Sequence, residues 1–335
     1  MRKRRLTGLL KIAVSLGLLA AVLAFTGWRE VLGRLASVQA GWLALALGVY
    51  LAGVWVRALR WQILLGGLGV RGLGILRLVQ LYFVSFFFNS FLPTGIGGDV
   101  MRIAEAARAR CLPGAGGCGP GETVGAARAA SSVVADRAVG LVATAILALL
   151  ALPFAPATVP WLLVAVAAAM AVGVPAGVAL VAGREAAGLA WLGRRVPWLR
   201  RLTEHRTVRE TAAAFTAYRP RDLALAAGVS LLFSAINAIT YACIGLALNI
   251  VLPLAYYMLA SPIVTLVLLV PISFNGLGTR DGAYLLLFVP AGVTRDGALA
   301  MSLMYHAVNY VTAIAGGVVY AGMGTAESLA DNGEK

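Results

Sequence analysis

Long apolar segments separated by short polar ones dominate the sequence. A helix of about 20 predominantly apolar residues is long enough to cross the hydrocarbon core of a bilayer. Six segments meet this length, at about 6–25, 42–65, 126–152, 161–181, 222–248 and 297–323. The pattern therefore predicts an all-α polytopic membrane protein with about six full transmembrane helices.

Two further apolar segments, at about 76–110 and 252–290, are interrupted by proline, glycine and charged residues. The first breaks at Pro93 and continues to Arg102; the second breaks at Pro271. Irregular backbone is tolerated at membrane depth only where protein covers it or where it lines a wet cavity. A full span ending at 92 would also place the arginines of 94–110 outside the cell, against the positive-inside rule. Both segments are therefore interpreted as re-entrant helical hairpins.

The order of segments repeats along the chain as two helices, a hairpin and a helix. A hairpin returns to the side it entered, so each unit crosses the membrane three times and the second unit must be inverted. The first repeat covers 1–152, the second covers 153–323, and 324–335 forms a tail. Hairpins that enter from opposite leaflets would bring their tips together near the midplane. The sequence therefore predicts an inverted-topology repeat with a site between the tips.

Basic residues set the predicted orientation. The formal charge is +14, and the segment 183–221 alone holds nine arginines against three glutamates. Positive charge is retained on the cytoplasmic side, so we expect a multi-pass inner (cytoplasmic) membrane protein with both termini cytoplasmic and the first helix retained. Interleaved tryptophans favour an amphipathic helix at 183–221 on an anionic leaflet, with a solvated connector as the alternative. Because the arginines lie between apolar segments, nucleic-acid binding is not expected.

Cysteine usage and motifs exclude several functions. Cys111, Cys118 and Cys243 do not make a disulfide framework, and no histidine near the first two completes a metal site. The sequence has no Walker A motif, so ATP hydrolysis is not expected. We therefore expect neither a metal nor a cofactor.

Candidate ligand-binding residues cluster at the two breaks, each a Gly-aliphatic-Gly turn after a proline. A helix that begins after such a turn presents free N–H groups and the positive end of its dipole, which favour an anion. The forked guanidinium of arginine matches phosphate oxygens, and an internal Asp–Arg ion pair is the alternative. The candidates are Asn89, Thr94, Gly95, Gly97, Gly98, Asp99, Arg102, Asp136, Arg137, Asn275, Gly276, Gly278, Thr279, Arg280, Asp281 and His306.

Polar residues also recur on three of the predicted spans. Arg57, Arg60 and Trp61 fit an interfacial anchor better than a ligand site. A stripe on 222–248 consists of Ser230, Ser234, Asn237 and Tyr241. Hydrogen bonding between helices explains this stripe at least as readily as a substrate path. Ser302 lies one turn from His306, as a nucleophile and base would, but no third group accompanies them.

Four motifs together resemble the lysylphosphatidylglycerol synthase transmembrane-region family, the flippase-like domain. They are RALRW at 57–61, NSFLPTGIGGDVMR at 89–102, DR at 136–137 and SFNGLGTRDG at 273–282. The resemblance covers nearly the whole chain and implies lipid translocation without fixing the lipid. Some members are tied to polyprenyl-linked glycan assembly. Synthases of this family append a soluble domain that transfers the amino acid from tRNA. Because this chain ends soon after Met323, we expect no synthase activity.

The expected function is that of a lipid transporter or flippase for an anionic lipid, either a phospholipid or a polyprenyl-phosphate-linked one. Movement would be downhill or coupled to protons or to the membrane potential. The expected partners are lipids with anionic headgroups. One alternative is a non-catalytic membrane partner of a glycosyltransferase or synthase. Another is an intramembrane lipid-modifying enzyme, although no enzyme activity is expected.

Overall fold

A computed structural model describes residues 28–70, 72–91, 97–110, 123–154, 218–269, 273 and 275–333, together with positions 165, 169 and 173. Within these residues the chain forms nine α-helices and a short 3₁₀ turn. The helices are α1 (Trp28–Ala36), α2 (Ala40–Gly67), α3 (Ile75–Phe91), α4 (Gly97–Arg108), α5 (Gly125–Ala151), α6 (Pro220–Ala247), α7 (Leu254–Leu269), α8 (Thr279–Phe288) and α9 (Arg295–Gly333).

Four of these helices are long and apolar enough to cross a membrane. They are α2, α5, α6 and the Arg295–Met323 part of α9. They match the spans predicted at 42–65, 126–152, 222–248 and 297–323, so the all-helical, polytopic prediction is confirmed for this part of the chain. The backbone of α9 continues to Gly333, which makes most of the expected tail helical. The span predicted at 6–25 lies outside the described residues, and so do nearly all of the span predicted at 161–181 and nearly all of the basic segment 183–221.

Each interrupted segment forms two helices, as the proline and glycine positions predict. The first gives α3 and α4, and the second gives α7 and α8. The turn before α8 needs left-handed backbone at Asn275, Gly276 and Gly278, with φ angles of 49°, 78° and 81°. Glycine adopts such angles without a steric penalty, whereas most residues do not. The glycines of this break are therefore explained by the turn itself.

Helix packing follows the same scheme on both sides of one central pair. Helix α2 lies along α6. Helix α3 contacts α4 and α9, and α7 correspondingly contacts α8 and α5. Helix α4 packs on α5 just as α8 packs on α9. Exchanging α2–α5 with α6–α9 therefore maps the α2–α6 contact onto itself and each of the other contacts onto another one.

Two apolar cores lie at either side of the helix assembly. One surrounds Trp61 on α2, and the other surrounds Phe288 on α8. The outer faces carry large apolar side chains, and Leu286 and Val318 are 76% and 70% exposed. Apolar exteriors over polar interiors are expected where the surrounding solvent is lipid.

Glycine contacts bring α3 close to two neighbours. A Cβ atom on Gly98 of α4 would overlap the backbone of Ser85, and one on Gly316 of α9 would overlap the carbonyl of Phe83. Small residues at such crossings let helix backbones approach one another. These contacts fix the position of α3, whose end carries Asn89 into the cavity described next.

Candidate functional site

A cavity of about 320 Å³ lies between the two apolar cores. Tyr50 and Tyr305 contribute to its wall from one core and Tyr82 from the other. Helices α2 to α9 all supply lining residues. Ligand pockets commonly measure about 300–1,000 Å³, so this cavity has room for a lipid headgroup but not for a whole lipid.

Charged side chains of predominantly positive sign line this cavity. Among the described residues they are Arg57, Arg60, Arg102, Arg137, Arg280, Asp99 and Asp136. Five arginines against two aspartates give the lining a formal charge of +3. Charge buried in a membrane protein is costly unless it is paired, so the partners of each arginine decide what the site can bind.

Asp136 joins two buried arginines. Its Oδ1 accepts a hydrogen bond from Arg60 Nε at 2.6 Å, and its Oδ2 accepts one from Arg102 at 2.9 Å. The Tyr82 hydroxyl also donates to Oδ2, at 2.8 Å. The Arg102 guanidinium lies 4.1 Å from the centre of the Trp61 ring. One carboxylate thus serves two guanidinium groups, and the cluster keeps one positive charge in excess.

The interfacial anchor predicted for Arg60 and Trp61 is wrong. Both side chains are buried, and the Trp61 indole donates to Ser132 Oγ at 3.1 Å. A Cβ atom on Gly140 would lie 2.8 Å from the Arg60 guanidinium, so the missing side chain makes room for it. The carboxylate partner, Asp136, is 76 residues away in sequence. Local sequence pattern therefore gave no sign of this pair.

Asp99 and Arg137 form a second ion pair at the exposed edge of the cavity. Two nitrogens of Arg137 contact one Asp99 oxygen at 2.6 and 3.1 Å, and the Arg137 side chain is 50% exposed. Arg102 approaches Asp99 only to 3.8 Å. An ion pair between Asp99 and Arg102, the alternative to ligand binding at this break, is therefore weaker than the pair that each residue makes with α5.

At the first break, the protein itself uses one of the N–H groups expected to be free. The Gly98 N–H donates to the side-chain carbonyl of Asn89 at 2.9 Å, which caps the start of α4. Gly97 is the first residue of that helix. Thr94 and Gly95 lie outside the described residues. Asn89 thus lines the cavity and also holds the two arms of the hairpin together.

Arg280 has no carboxylate partner among the described residues. Its Nη1 lies 3.2 Å from His306 Nδ1, and its guanidinium lies 4.7 Å from the centre of the Tyr305 ring. Its Nε is buried and has no hydrogen-bond partner in this part of the chain. Arginine can only donate, so His306 Nδ1 must be the acceptor and the ring proton must be on Nε2. That Nε2 lies 3.7 Å from Asp281.

Asp281 lies behind Arg280 and is not among the described residues that line the cavity. Its Oδ2 accepts a hydrogen bond from the Gly278 N–H at 2.8 Å, which caps α8, and its Oδ1 accepts one from Ser302 at 2.6 Å. The Ser302 hydroxyl is therefore directed at a carboxylate and not at His306. An internal ion pair between Asp281 and Arg280, the alternative to ligand binding at this break, is not formed.

Three other candidates at the second break build the turn. The Thr279 hydroxyl contacts Ser273 at 2.7 Å and donates to the Gly276 carbonyl at 3.2 Å. Asn275 adopts the left-handed φ described above. These three candidates contribute nothing to the described lining.

Arg57 was expected to be an interfacial anchor, but it lines the cavity. It has no carboxylate partner among the described residues. Its guanidinium lies 4.2 Å from the centre of the Phe233 ring and 5.6 Å from that of Phe86. The sequence feature that indicates this position is the spacing of three residues between Arg57 and Arg60, which places both side chains on nearly the same face of α2.

The polar stripe on α6 makes hydrogen bonds to other helices and also contributes to the cavity wall. Ser230 accepts from Arg60 at 3.2 Å, and Asn237 accepts from Tyr305 at 3.1 Å, so the stripe joins helices. Three of its members also line the cavity, namely Ser234, Asn237 and Tyr241. Among the described residues, no group of three or more His, Cys, Asp or Glu side chains could hold a metal ion.

Four long apolar helices surround a cavity lined by arginines, so the protein is a polytopic membrane protein. The family model described as "Lysylphosphatidylglycerol synthase TM region" matches residues 8–317. The chain therefore belongs to this family, the membrane domain of a lipid-modifying group of proteins, and the resemblance predicted from the four motifs is confirmed. No curated protein and no solved structure matches the sequence.

Proposed function

We propose that the protein moves an anionic lipid across the membrane without ATP hydrolysis, and that the headgroup passes through the arginine-lined cavity. The observation that carries this proposal is that Arg57 and Arg280 line the cavity with no carboxylate partner among the described residues. A buried charge without a counter-charge is costly. An anionic headgroup that enters the cavity would supply the missing charge, which makes binding favourable.

The arginines contribute more to this attraction than the helix N-termini do. The Gly98 and Gly278 N–H groups already donate to Asn89 and Asp281. A guanidinium offers several donors in a planar fork, and its charge-assisted bonds to phosphate oxygens are strong. Neutral groups such as Asn309 and Thr144 line the rest of the wall and would bind the uncharged part of the headgroup.

Helix lengths and packing support an inverted repeat with two re-entrant hairpins. Helices α3 and α4 have 17 and 12 residues, and α7 and α8 have 16 and 10. At about 1.5 Å per residue none of them covers a hydrocarbon core of about 30 Å. The exchange of α2–α5 with α6–α9 that maps the contacts onto one another is the relation expected of two such repeats. With basic segments retained inside, both termini would lie in the cytoplasm.

In this proposal the headgroup enters past Arg137. Its side chain is half exposed and its pair with Asp99 lies at the edge of the cavity. Solvent reaches the Arg137 side of this pair and weakens it relative to a fully buried pair, so an arriving phosphate can compete with Asp99 for Arg137. From there the headgroup reaches Arg57 and Arg280 in the interior.

We also infer that the protein catalyses no reaction. The Ser302 hydroxyl donates to Asp281, and His306 Nδ1 accepts from Arg280. A nucleophile must also reach its substrate, and neither Ser302 nor His306 belongs to the described lining of the cavity. A role as a non-catalytic partner of a synthase would rest on the basic segment 183–221, which lies almost wholly outside the described residues.

Reconstitution into liposomes tests the proposal. Fluorescent phosphatidylglycerol in the outer leaflet is quenched by dithionite, so the quenched fraction reports transbilayer movement. We expect Arg57→Gln and Arg280→Gln each to slow movement by about tenfold or more, the range for one charge-assisted hydrogen bond. Arg221→Gln, which removes an exposed arginine at the start of α6, is the matched control.

Three results would contradict the proposal or favour an alternative. Rates that remain unchanged in both cavity variants would refute the proposed site. A chemically altered lipid, detected by mass spectrometry after incubation with the pure protein, would favour an enzyme. A stably copurifying synthase, with no lipid movement by the isolated chain, would favour a partner role.

A further inference from the structure

We infer that the headgroup held in this cavity carries about two negative charges, as a terminal phosphomonoester does, and not the single charge of a phosphodiester. This inference rests on the proposed function and specifies its substrate class. It follows from the balance of charge around the cavity, the unused donors in its wall and its size.

Counted over the described residues, the charge balance leaves about two positive charges without a counter-charge. Asp136 compensates one of its two arginines, and Asp99 compensates Arg137. The remaining three positive charges are the second arginine of the Asp136 cluster, Arg57 and Arg280. Asp281 makes no ion pair with Arg280, but its carboxylate lies 3.7 Å from His306 Nε2, beyond the imidazole, and reduces the net positive charge around the cavity to about two. His306 adds no charge, since its Nδ1 must accept from Arg280.

Nearby carboxylates outside the cavity do not change this balance. Glu105 on α4 accepts a hydrogen bond from Arg77 at 3.0 Å, so that charge is already matched. Asp222 lies at the start of α6 and contacts the end of α2 near Gly67. Neither residue belongs to the described lining.

Two buried nitrogens of the wall arginines have no partner in the described part of the chain. They are the Nε atoms of Arg102 and Arg280. The two side chains are 3% and 7% exposed, and each lines the cavity from a different half of the helix assembly. An unpaired buried donor has lost its water without gaining an acceptor. The three terminal oxygens of a phosphomonoester supply acceptors in several directions at once.

Charge matching separates the two kinds of phosphate. A phosphomonoester carries about −1.5 to −2 at pH 7 because its second pKa is about 6. A phosphodiester carries only one charge and would leave about one positive charge uncompensated in a low-dielectric site, where the interaction is strong. The cavity volume of about 320 Å³ also suits a compact terminal phosphate better than a headgroup extended by a sugar or an amino acid.

A binding measurement in detergent tests this inference separately from transport. The probes are short-chain phosphatidic acid and phosphatidylmethanol with the same acyl chains, which differ by one methyl group and one ionisable proton. At pH 7.5 we expect titration calorimetry to give about tenfold or tighter binding for phosphatidic acid. Equal affinities, tighter binding of the methyl ester, or no binding of either lipid would overturn the inference.

Farnesyl monophosphate and its methyl ester form a second pair of probes, which distinguishes an isoprenoid from a glycerolipid source. A preference for the monoester in either pair supports the inference, and the pair with the larger ratio identifies the source. Arg57→Gln and Arg280→Gln should each bring the affinity ratio close to one, whereas Arg221→Gln should leave it unchanged. Thermal melting of each variant shows that the comparison is made on folded protein.

The two proposals can fail independently. Tight binding of the phosphomonoester, together with no movement of any lipid in liposomes, would refute the transport function only. Movement of phosphatidylglycerol and phosphatidylmethanol as fast as phosphatidic acid, with equal binding of the acid and the ester, would refute the doubly charged substrate only.

Discussion

Arg280 is joined to His306 by a hydrogen bond of 3.2 Å to a neutral imidazole nitrogen. In the other half of the helix assembly the corresponding helices place Arg102 2.9 Å from the Asp136 carboxylate. One arginine is therefore paired directly with a carboxylate, whereas the other, within the described part of the chain, is hydrogen-bonded to a neutral imidazole with Asp281 behind it. This difference predicts that Arg102 mainly supports the fold and that Arg280 mainly binds the ligand.

Asp136→Asn should destabilise the protein strongly. The variant keeps the size of the side chain but leaves Arg60 and Arg102 buried without a counter-charge, which costs about 3–5 kcal/mol. We expect a large fall in melting temperature in detergent. Asp99→Asn is the control, since its partner Arg137 is half exposed and solvent screening reduces the loss to about 1 kcal/mol or less. Equal melting temperatures for the two variants would disprove the structural role of Asp136.

Arg280→Met should separate binding from stability. It removes a buried charge that has no carboxylate partner among the described residues, so the free energy of unfolding should stay the same or increase. Binding of phosphatidic acid, measured by calorimetry, should be lost. Arg280→Lys keeps the charge without the fork and should retain part of the affinity. A fall in melting temperature as large as that of Asp136→Asn would contradict this assignment.

His306→Asp should weaken anion binding without removing any arginine. The new carboxylate would stand where Nδ1 now accepts from Arg280 and would compensate the guanidinium, as Asp136 does for Arg102. His306→Asn is the matched control, because its amide oxygen is a neutral acceptor at nearly the same position. We expect affinity for phosphatidic acid to fall by about tenfold relative to the Asn variant. Identical affinities would show that charge at this position has no influence on the ligand.

Gly98→Ala should disrupt the first hairpin. The added methyl group would overlap the backbone of Ser85 and force α4 away from α3, which would also break the cap from Asn89. Lipid movement and melting temperature should both fall. Gly228→Ala is a suitable control because its Cβ would have no heavy atom within 4 Å, and alanine favours helix by about 1 kcal/mol. Normal activity of Gly98→Ala would mean that the close contact with α3 is dispensable.

Hydropathy and helix-breaking residues were sufficient to predict most of the described fold. Transfer free energy is summed over a segment, so the four long spans follow from composition alone. The two breaks follow from Pro93 and Pro271 together with the glycines after them, because backbone conformation at these residues is a local property. The spans at 6–25 and 161–181 and the amphipathic helix at 183–221 remain predictions.

The partners of the charged residues could not be predicted in the same way. The sequence shows that Asp136 and Arg60 exist, but hydropathy does not show which face of each helix meets the other. Their pairing depends on the packing of α2 against α5 across 76 residues. For the same reason the sequence left an ion pair between Asp281 and its neighbour Arg280 as an alternative, although the Asp281 oxygens accept hydrogen bonds from Gly278 and Ser302.

The close contact of α9 with α3 restricts how the cavity can open. Gly316 and Gly317 let α9 contact the backbone of Phe83 and the ring of Phe87 directly, because glycine has no side chain to separate the helices. Helices packed this tightly cannot slide past each other without a steric clash. We therefore expect α3 and α9 to move together as one rigid body. This helix pair contributes Asn89 from one half of the chain and Asn309 from the other to the cavity wall. One movement of the pair would therefore shift both residues relative to a bound headgroup.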